Sequence, residues 1–255
     1  MINGYDNEFE FVKSLNRKHI YELNPMFREF IEDLYGIVNE QYMITCWKNK
    51  LPQKTDIFIK INNQIKGISI KKGIKNSVHV ERITDFIHFL IENKIDRKNI
   101  ISYLKYHYAD GTTNGKGNYR LSIEEYKNNN QQSIDELNKQ LNNKKILNKA
   151  IDRFILKGNN SKYYIDAIIY GEVNDFIWIL KDNIRKIILS KTNIYSTSVH
   201  FGPIICQPKN RCLNNNTKYE KERFCIQLKW YSLNDDIIEF RNNKIIENNK
   251  SKMPI

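Results

Sequence analysis

Residues 55 to 72 hold the pattern that most restricts this chain: Thr-Asp-Ile-Phe-Ile-Lys-Ile, a break at Asn62-Asn63-Gln64, then Ile-Lys-Gly-Ile-Ser-Ile-Lys-Lys. Apolar and polar residues alternate with period two, which a strand satisfies and a helix does not. The Asn-rich break between two such runs suits a hairpin turn. Ile57, Ile59 and Ile61 then face one way, and Asp56, Phe58 and Lys60 the other. On the second strand Ile68 and Ile70 oppose Gly67, Ser69 and Lys71. A hairpin with one apolar face must bury it against another layer.

Helices are available for that layer. Residues 5 to 15 place Tyr5, Val12 and Leu15 on one face, and a second helix is expected over 24 to 35, opened by Asn24-Pro25. Plotted at 100° per residue, Glu8 falls inside the apolar face of the first helix and Glu10 opposite it. After the hairpin, Ser77 reads as the N-cap of a helix through Asn93, with Val80, Ile83, Ile87 and Leu90 as its core stripe and Glu81, Asp85 and His88 off it. Another helix is expected near 98 to 108, then a polar loop from Asp110 to Asn118, and one or two exposed helices between 122 and 156. Strand-like runs return at 163–171, 176–180, 198–207 and 224–232, with a helix at 182–190. The order implies an α/β (α+β) fold: a mixed central sheet flanked by helices, with additional C-terminal strands. The expected division is a core over 1–110, an inserted polar region over 111–160 and a C-terminal region over 161–255.

Lys and Arg total 41 against 29 Asp and Glu, a net charge of +12, which concentrates polyanions at the surface and makes nucleic acid the expected partner. The N-terminal MINGYDNEFEF carries acids where a secretory signal needs a basic start, and no run approaches the ~18 apolar residues of a membrane helix. A cytoplasmic protein with no membrane association is expected. Its four cysteines, Cys46, Cys206, Cys212 and Cys225, read as reduced thiols. With His200 they lack any Cys-x-x-Cys knuckle, which argues against zinc. The Gly-Lys-Gly of the 111–118 loop lacks the Gly-Lys-Ser/Thr of a nucleotide-binding loop, so no use of ATP is expected.

Hydrolysis of a phosphodiester calls for a hard divalent ion on oxygen ligands and a cation near the attacked phosphorus. Asp56 on one strand, Lys71 on the next and the Ile70 carbonyl between Ser69 and Lys71 supply most of such a centre. The run Gln53-Lys54-Thr55-Asp56, followed thirteen residues later by Ser69-Ile70-Lys71, with an inward Glu8 before it and a helix after it, resembles the PD-(D/E)XK nuclease superfamily over residues 5 to 92. The resemblance implies a restriction-endonuclease-like core and Mg²⁺-dependent cleavage of double-stranded DNA, in the manner of a type II restriction enzyme working alone or as a homodimer. It maps the family's first acid onto Asp56, its lysine onto Lys71 and its leading-helix acid onto Glu8. Two positions depart from the pattern: Thr55 replaces the proline, and Ser69 replaces the second acid. Some restriction endonucleases of the superfamily carry a similar Ser-x-Lys and take the acid from the following helix. Here that makes Glu81 the preferred second metal ligand and Asp85 the alternative.

A structure-specific repair nuclease and a DNA-binding protein on a decayed nuclease core are the competing expectations. Arg and Lys pair with guanine or phosphate, and Asn and Gln with adenine. Lys116 and Asn118, the segment Gln207, Lys209, Asn210 and Arg211, and Gln227 with Lys229 are therefore the expected DNA contacts.

Overall fold

In the computed structural model of the chain, the residues described are 4–73, 76–117, 120–158, 163–192, 196–209 and 217–250. Helix α1 (Gly4–Leu15) and helix α2 (Pro25–Tyr35) lead into strands β1 (Ile44–Lys48), β2 (Ile57–Ile61) and β3 (Gln64–Lys71). Then follow β4 (Ser77–Arg82), α3 (Ile83–Glu92), α4 (Arg97–Tyr108), α5 (Ile123–Leu141) and α6 (Lys144–Ala150), which runs on as a wider π-type turn over Ile151–Lys157. The remainder is β5 (Ala167–Glu172), β6 (Asp175–Leu180), α7 (Lys181–Ser190), β7 (His200–Phe201), β8 (Ile204–Pro208), β9 (Cys225–Lys229) and α8 (Leu233–Lys250).

The chain divides into two compact units, Met1–Asn76 with Ile155–Ile187 and Ser232–Ile255, and Ser77–Phe154 with Ile188–Tyr231. These units run across the expected boundaries at 110 and 160: the C-terminal strands are shared between them, and the region 111–160 is largely part of the second.

The first unit is built on a five-stranded mixed sheet in the order β1-β2-β3-β5-β6. Neighbours are antiparallel except β3 and β5, which pair in parallel with Ser69 beside Ile168 and Lys71 beside Tyr170. The β2–β3 connection is the expected hairpin, closed by Asn62 at φ +52°. Asn62 adopts the left-handed region that a tight hairpin turn demands and that Asn tolerates better than most residues. Asn24 caps α2 through its side-chain oxygen, which accepts from Phe27 N at 2.9 Å, and Pro25 occupies the first turn where no donor is needed. Phe11 and Leu15 of α1 and Phe27, Phe30 and Ile31 of α2 pack with Ile57, Ile59, Ile68, Ile70, Ala167, Ile169 and Phe176 in one continuous core. That core explains the alternation in the hairpin: its isoleucines face the helices, so Asp56, Ser69 and Lys71 are left for the other side.

The second unit has a four-stranded antiparallel sheet, β4-β9-β8-β7, with helices α3 to α6. Here the structure corrects the sequence reading. Residues 77–82 are a strand paired with β9, and the helix begins only at Ile83. Val80, expected in the helical core stripe, is 44% exposed, while Ile83, Phe86, Phe89 and Leu90 carry the buried face. The helices expected to be exposed between 122 and 156 bury Tyr126, Ile134, Leu137, Leu147 and Phe154, so they are structural walls of this unit. Strand β1 and helix α8 were not expected. Among the described residues no helix is long and apolar enough to cross a membrane.

Candidate active site

Asp56 sits one residue before β2, where the antiparallel pairing with β3 runs out. Its backbone N–H donates to Ile68 O at 2.9 Å, which fixes the start of the turn into β2. Its carboxylate then reaches across to β3. Oδ2 accepts from Ile70 N at 2.6 Å and from Ser69 Oγ at 3.1 Å, and lies 3.7 Å from Lys71 Nζ. Three donors from three successive residues thus converge on one oxygen.

The strand geometry explains why Ile70 belongs to this group. Backbone N–H and C=O of one strand residue project from the same edge, and successive residues alternate edges. Gly67 O accepts from Asp166 N at 2.7 Å on the β5 side, whereas Ile68 O accepts from Asp56 N on the β2 side. Ile70 therefore turns its N–H and its carbonyl toward Asp56, in the gap left as β2 ends. Asp56 and Lys71 are each about a fifth exposed at the side chain, while Ser69 is 2% exposed and spends its hydroxyl on Asp56.

The approach to Asp56 is held by Asn49. Its N–H donates to Asp56 O at 2.9 Å, its Nδ2 donates to Thr55 O at 3.0 Å, and its Oδ1 accepts from Leu51 N at 3.0 Å. Thr55, which stands where the resemblance has a proline, is buried against Gly67, whose missing side chain leaves it room. On the far side, Asp166 anchors β5 to β3: its Oδ2 accepts from Gly67 N at 2.9 Å and its Oδ1 lies 3.6 Å from Lys66 Nζ. Neither Asn49 nor Asp166 was singled out from the sequence, although an Asp directly before the apolar run 167–170 is the kind of strand-opening residue that could have prompted it.

Glu8 projects from α1 and pairs with Lys48 Nζ at 2.7 Å. Lys48 is paired in register with Ile57, the neighbour of Asp56, so the Glu8–Lys48 pair and the Asp56 group occupy the same end of the sheet. The two acids are held by different lysines.

Glu81 is placed differently from the expectation. It lies on β4 of the second unit, not on the helix after the hairpin, and its buried Oε2 is 2.9 Å from Arg153 Nη2 and 3.1 Å from His79 Nε2. Asp85 opens α3 in the same unit, and its carbonyl accepts from Arg153 at 3.2 Å. Among the described residues no three His, Cys, Asp or Glu side chains gather as a metal cluster. Cys206 is buried with its sulfur 3.2 Å from Tyr103 Oη, and burial pushes its thiol up to about 12. His200 is buried on β7 and its pKa is lowered by loss of solvent, only partly offset by its bond with Gly202 O.

Those of the expected DNA contacts that lie among the described residues fall in the second unit. Gln207 and Gln227 are cross-strand partners on β8 and β9, and Lys229 extends the same half-exposed face with its ammonium over the Tyr231 ring. Lys209 pairs with Glu222 at 2.9 Å. Lys116 is exposed at the tip of a loop centred on Asp110, whose carboxylate takes Thr112, Gly117 and Arg223 as donors. Burial works against the charge of Asp110, but these donors outweigh it and hold its carboxyl below the ordinary range. Asn118, Asn210, Arg211 and Cys212 lie outside the described residues.

Comparison with solved structures gives a match to the restriction endonuclease MspI in complex with its cognate DNA, at a TM-score of 0.55 and 13% identity, covering 89% of this chain and 91% of that one. This is a restriction-endonuclease-like fold. The five-stranded mixed sheet with flanking helices is its core, and the match extends over both units. No family model matches the sequence, and the search of curated proteins found no match.

Proposed function

We propose that this chain is a Mg²⁺-dependent endonuclease of double-stranded DNA, of the type II restriction class, with its cutting centre at Asp56, Ile70 and Lys71. The observation that carries the reading is the convergence of Ser69, Ile70 and Lys71 on the Asp56 carboxylate at the end of a hairpin in a restriction-endonuclease-like fold.

The donor set fits Mg²⁺, which prefers hard oxygens and binds through one or two carboxylates while keeping several waters. Asp56 and the Ile70 carbonyl would hold it, with Glu8 as the second acid at the same end of the sheet. When bound, the ion lowers the pKa of a coordinated water and polarises the phosphate. Lys71 contributes its ammonium beside Asp56, where it offsets the charge that grows on the phosphate oxygens and orients the attacking water. Ser69 holds the Asp56 carboxylate in place. Glu81, committed to Arg153 and His79 in another sheet, acts as a structural charge, and the amide- and lysine-bearing face of β8 and β9 reads the bases.

The test is digestion of a large plasmid in Mg²⁺. Discrete fragments are expected, and Asp56→Ala or Lys71→Ala should each lower cleavage by about 10³-fold or more while DNA binding persists. Full activity in both variants would sink the assignment. A smear or cutting restricted to branched substrates would instead identify a structure-specific nuclease. The serine at the second acid's position favours one further reading, a DNA-binding protein without cleavage, which predicts salt-sensitive binding and intact plasmid in both Mg²⁺ and Mn²⁺.

A further inference from the structure

The side of the hairpin that carries Asp56, Ser69 and Lys71 also carries two aromatic rings. Trp47 on β1 and Phe58 on β2 are register partners, and their rings stack at 5.5 Å between centroids with 27° between planes. Phe58 lies two residues along from Asp56, and its partner on β3 is Gly67, two residues before Ser69. Alternation therefore puts the stack on the Asp56 side of the sheet, about 6.6 Å further along it. Gly67 adds no side chain beside the rings.

Trp47 is 36% exposed; its sheet face is sealed at Ser69 and Ile168 and open from the Trp47–Phe58 stack toward Lys60 and Ile65. The other two tryptophans, Trp178 and Trp230, are buried. Lys60 follows Phe58 on the same face and is exposed, so the stack is bracketed by Lys60 on one side and Lys71 on the other. An exposed indole between two lysines suits a nucleotide, whose phosphates pair with the lysines and whose base offers a flat π-face.

We infer that Trp47, backed by Phe58, is a stacking platform for a nucleotide of the strand being cut, one step along from the scissile phosphate. The inference rests on the nuclease reading and specifies how the DNA is engaged: a base next to the cut leaves the stack of the duplex to lie on the indole, while Lys60 takes a neighbouring phosphate.

Trp47 is the exposed one of three tryptophans, so its fluorescence reports the contact directly. The full-length protein is titrated in EDTA with a short duplex spanning a cut junction, or with a mixed-sequence duplex at low salt if no junction is found. Affinity is read independently from the anisotropy of labelled DNA. DNA should quench the indole emission, Trp47→Ala should weaken binding by about tenfold or more, and Trp47→Phe should recover part of the loss. The slope of log affinity against log salt should stay unchanged in Trp47→Ala and fall by about one in Lys60→Ala, because only the lysine releases a counterion. DNA binding with unchanged emission, and wild-type affinity in Trp47→Ala, would overturn the platform and leave the nuclease reading standing. Absence of both binding and cleavage in the wild type would overturn both. Thermal unfolding of each variant identifies any loss that comes from the fold.

Discussion

Gly67 offers the sharpest test of how the centre is built, because a single methyl group there acts on Asp56 through Thr55. An ideal Cβ on Gly67 lies 2.9 Å from Thr55 Oγ1, 3.1 Å from its Cγ2 and 3.6 Å from its Cβ. The first of these is roughly 0.6 Å inside ordinary contact distance. Thr55 is buried and its carbonyl is held by Asn49, so it cannot swing into solvent to make room. Gly67→Ala must therefore push the 55–56 segment away from β3, at a cost of about 1–3 kcal/mol of stability. Asp56 is the next residue, and its 2.6 Å bond to Ile70 N leaves little slack. A misplacement of 1 Å costs about 10²-fold in rate, so a shift of about half that predicts roughly a tenfold loss of kcat with KM for DNA little changed. Thr55→Ala removes both offending atoms and leaves the 3.6 Å contact, which is ordinary. The double variant should then be more stable and more active than Gly67→Ala alone, a strong departure from additivity. Thermal melts and single-turnover cleavage measure both. Wild-type behaviour of Gly67→Ala, or simple additivity in the double variant, would refute the account of how Thr55 positions Asp56.

Three further outcomes are expected. Glu81→Gln should destabilise the second unit by about 3 kcal/mol, the low end for a broken buried pair because Arg153 keeps some solvent, while the Mg²⁺ concentration for half-maximal cleavage stays put; a shift in that concentration would return Glu81 to the metal. Cys46 and Cys206, both pushed up to about 12 by burial, should resist thiol reagents in the native protein at pH 8 and react on unfolding, and fast native labelling of either, located by mass spectrometry, would contradict their packing. His200 has a lowered pKa in the fold, so as pH falls below its unfolded value of about 6.5 the unfolded chain takes up the proton first. Stability of the second unit should accordingly drop through that window on acidification, and His200→Gln should flatten the pH profile of the melting temperature; an unchanged profile would show that His200 does not set it.

The hairpin and its faces were legible because period-two alternation survives in a single sequence, and the core that demands it is the one the alternation predicts. That Asp56, Ser69 and Lys71 come together on one side of the hairpin followed directly from it. Strand β4 was not legible for a related reason. In Val78-His79-Val80-Glu81 both polar residues are buried beside Val78 while Val80 is exposed, since Arg153, 72 residues along the chain from Glu81, arrives to neutralise it. With no knowledge of that partner, burying a glutamate looks unphysical and an exposed helical position looks natural. Strand β1 was hidden by length: Ile44, Cys46 and Lys48 give too few alternations to stand out. The cradle around Asp56 was invisible for yet another reason, because Asn49 and Asp166 act through backbone hydrogen bonds that carry no periodic signature.

The pairing of β3 with β5 brings Gly67 and Asp166 together across 99 residues, and the chain between them makes most of the second unit. During synthesis the Asp56 hairpin leaves the ribosome early, but the strand that anchors β3 comes only after all of α3 to α6. Loop-closure entropy delays such a junction further, so the surroundings of Asp56 are expected to be among the last parts of this unit to become rigid. Translation arrested before Asp166 therefore yields the Asp56 hairpin without the strand that anchors β3.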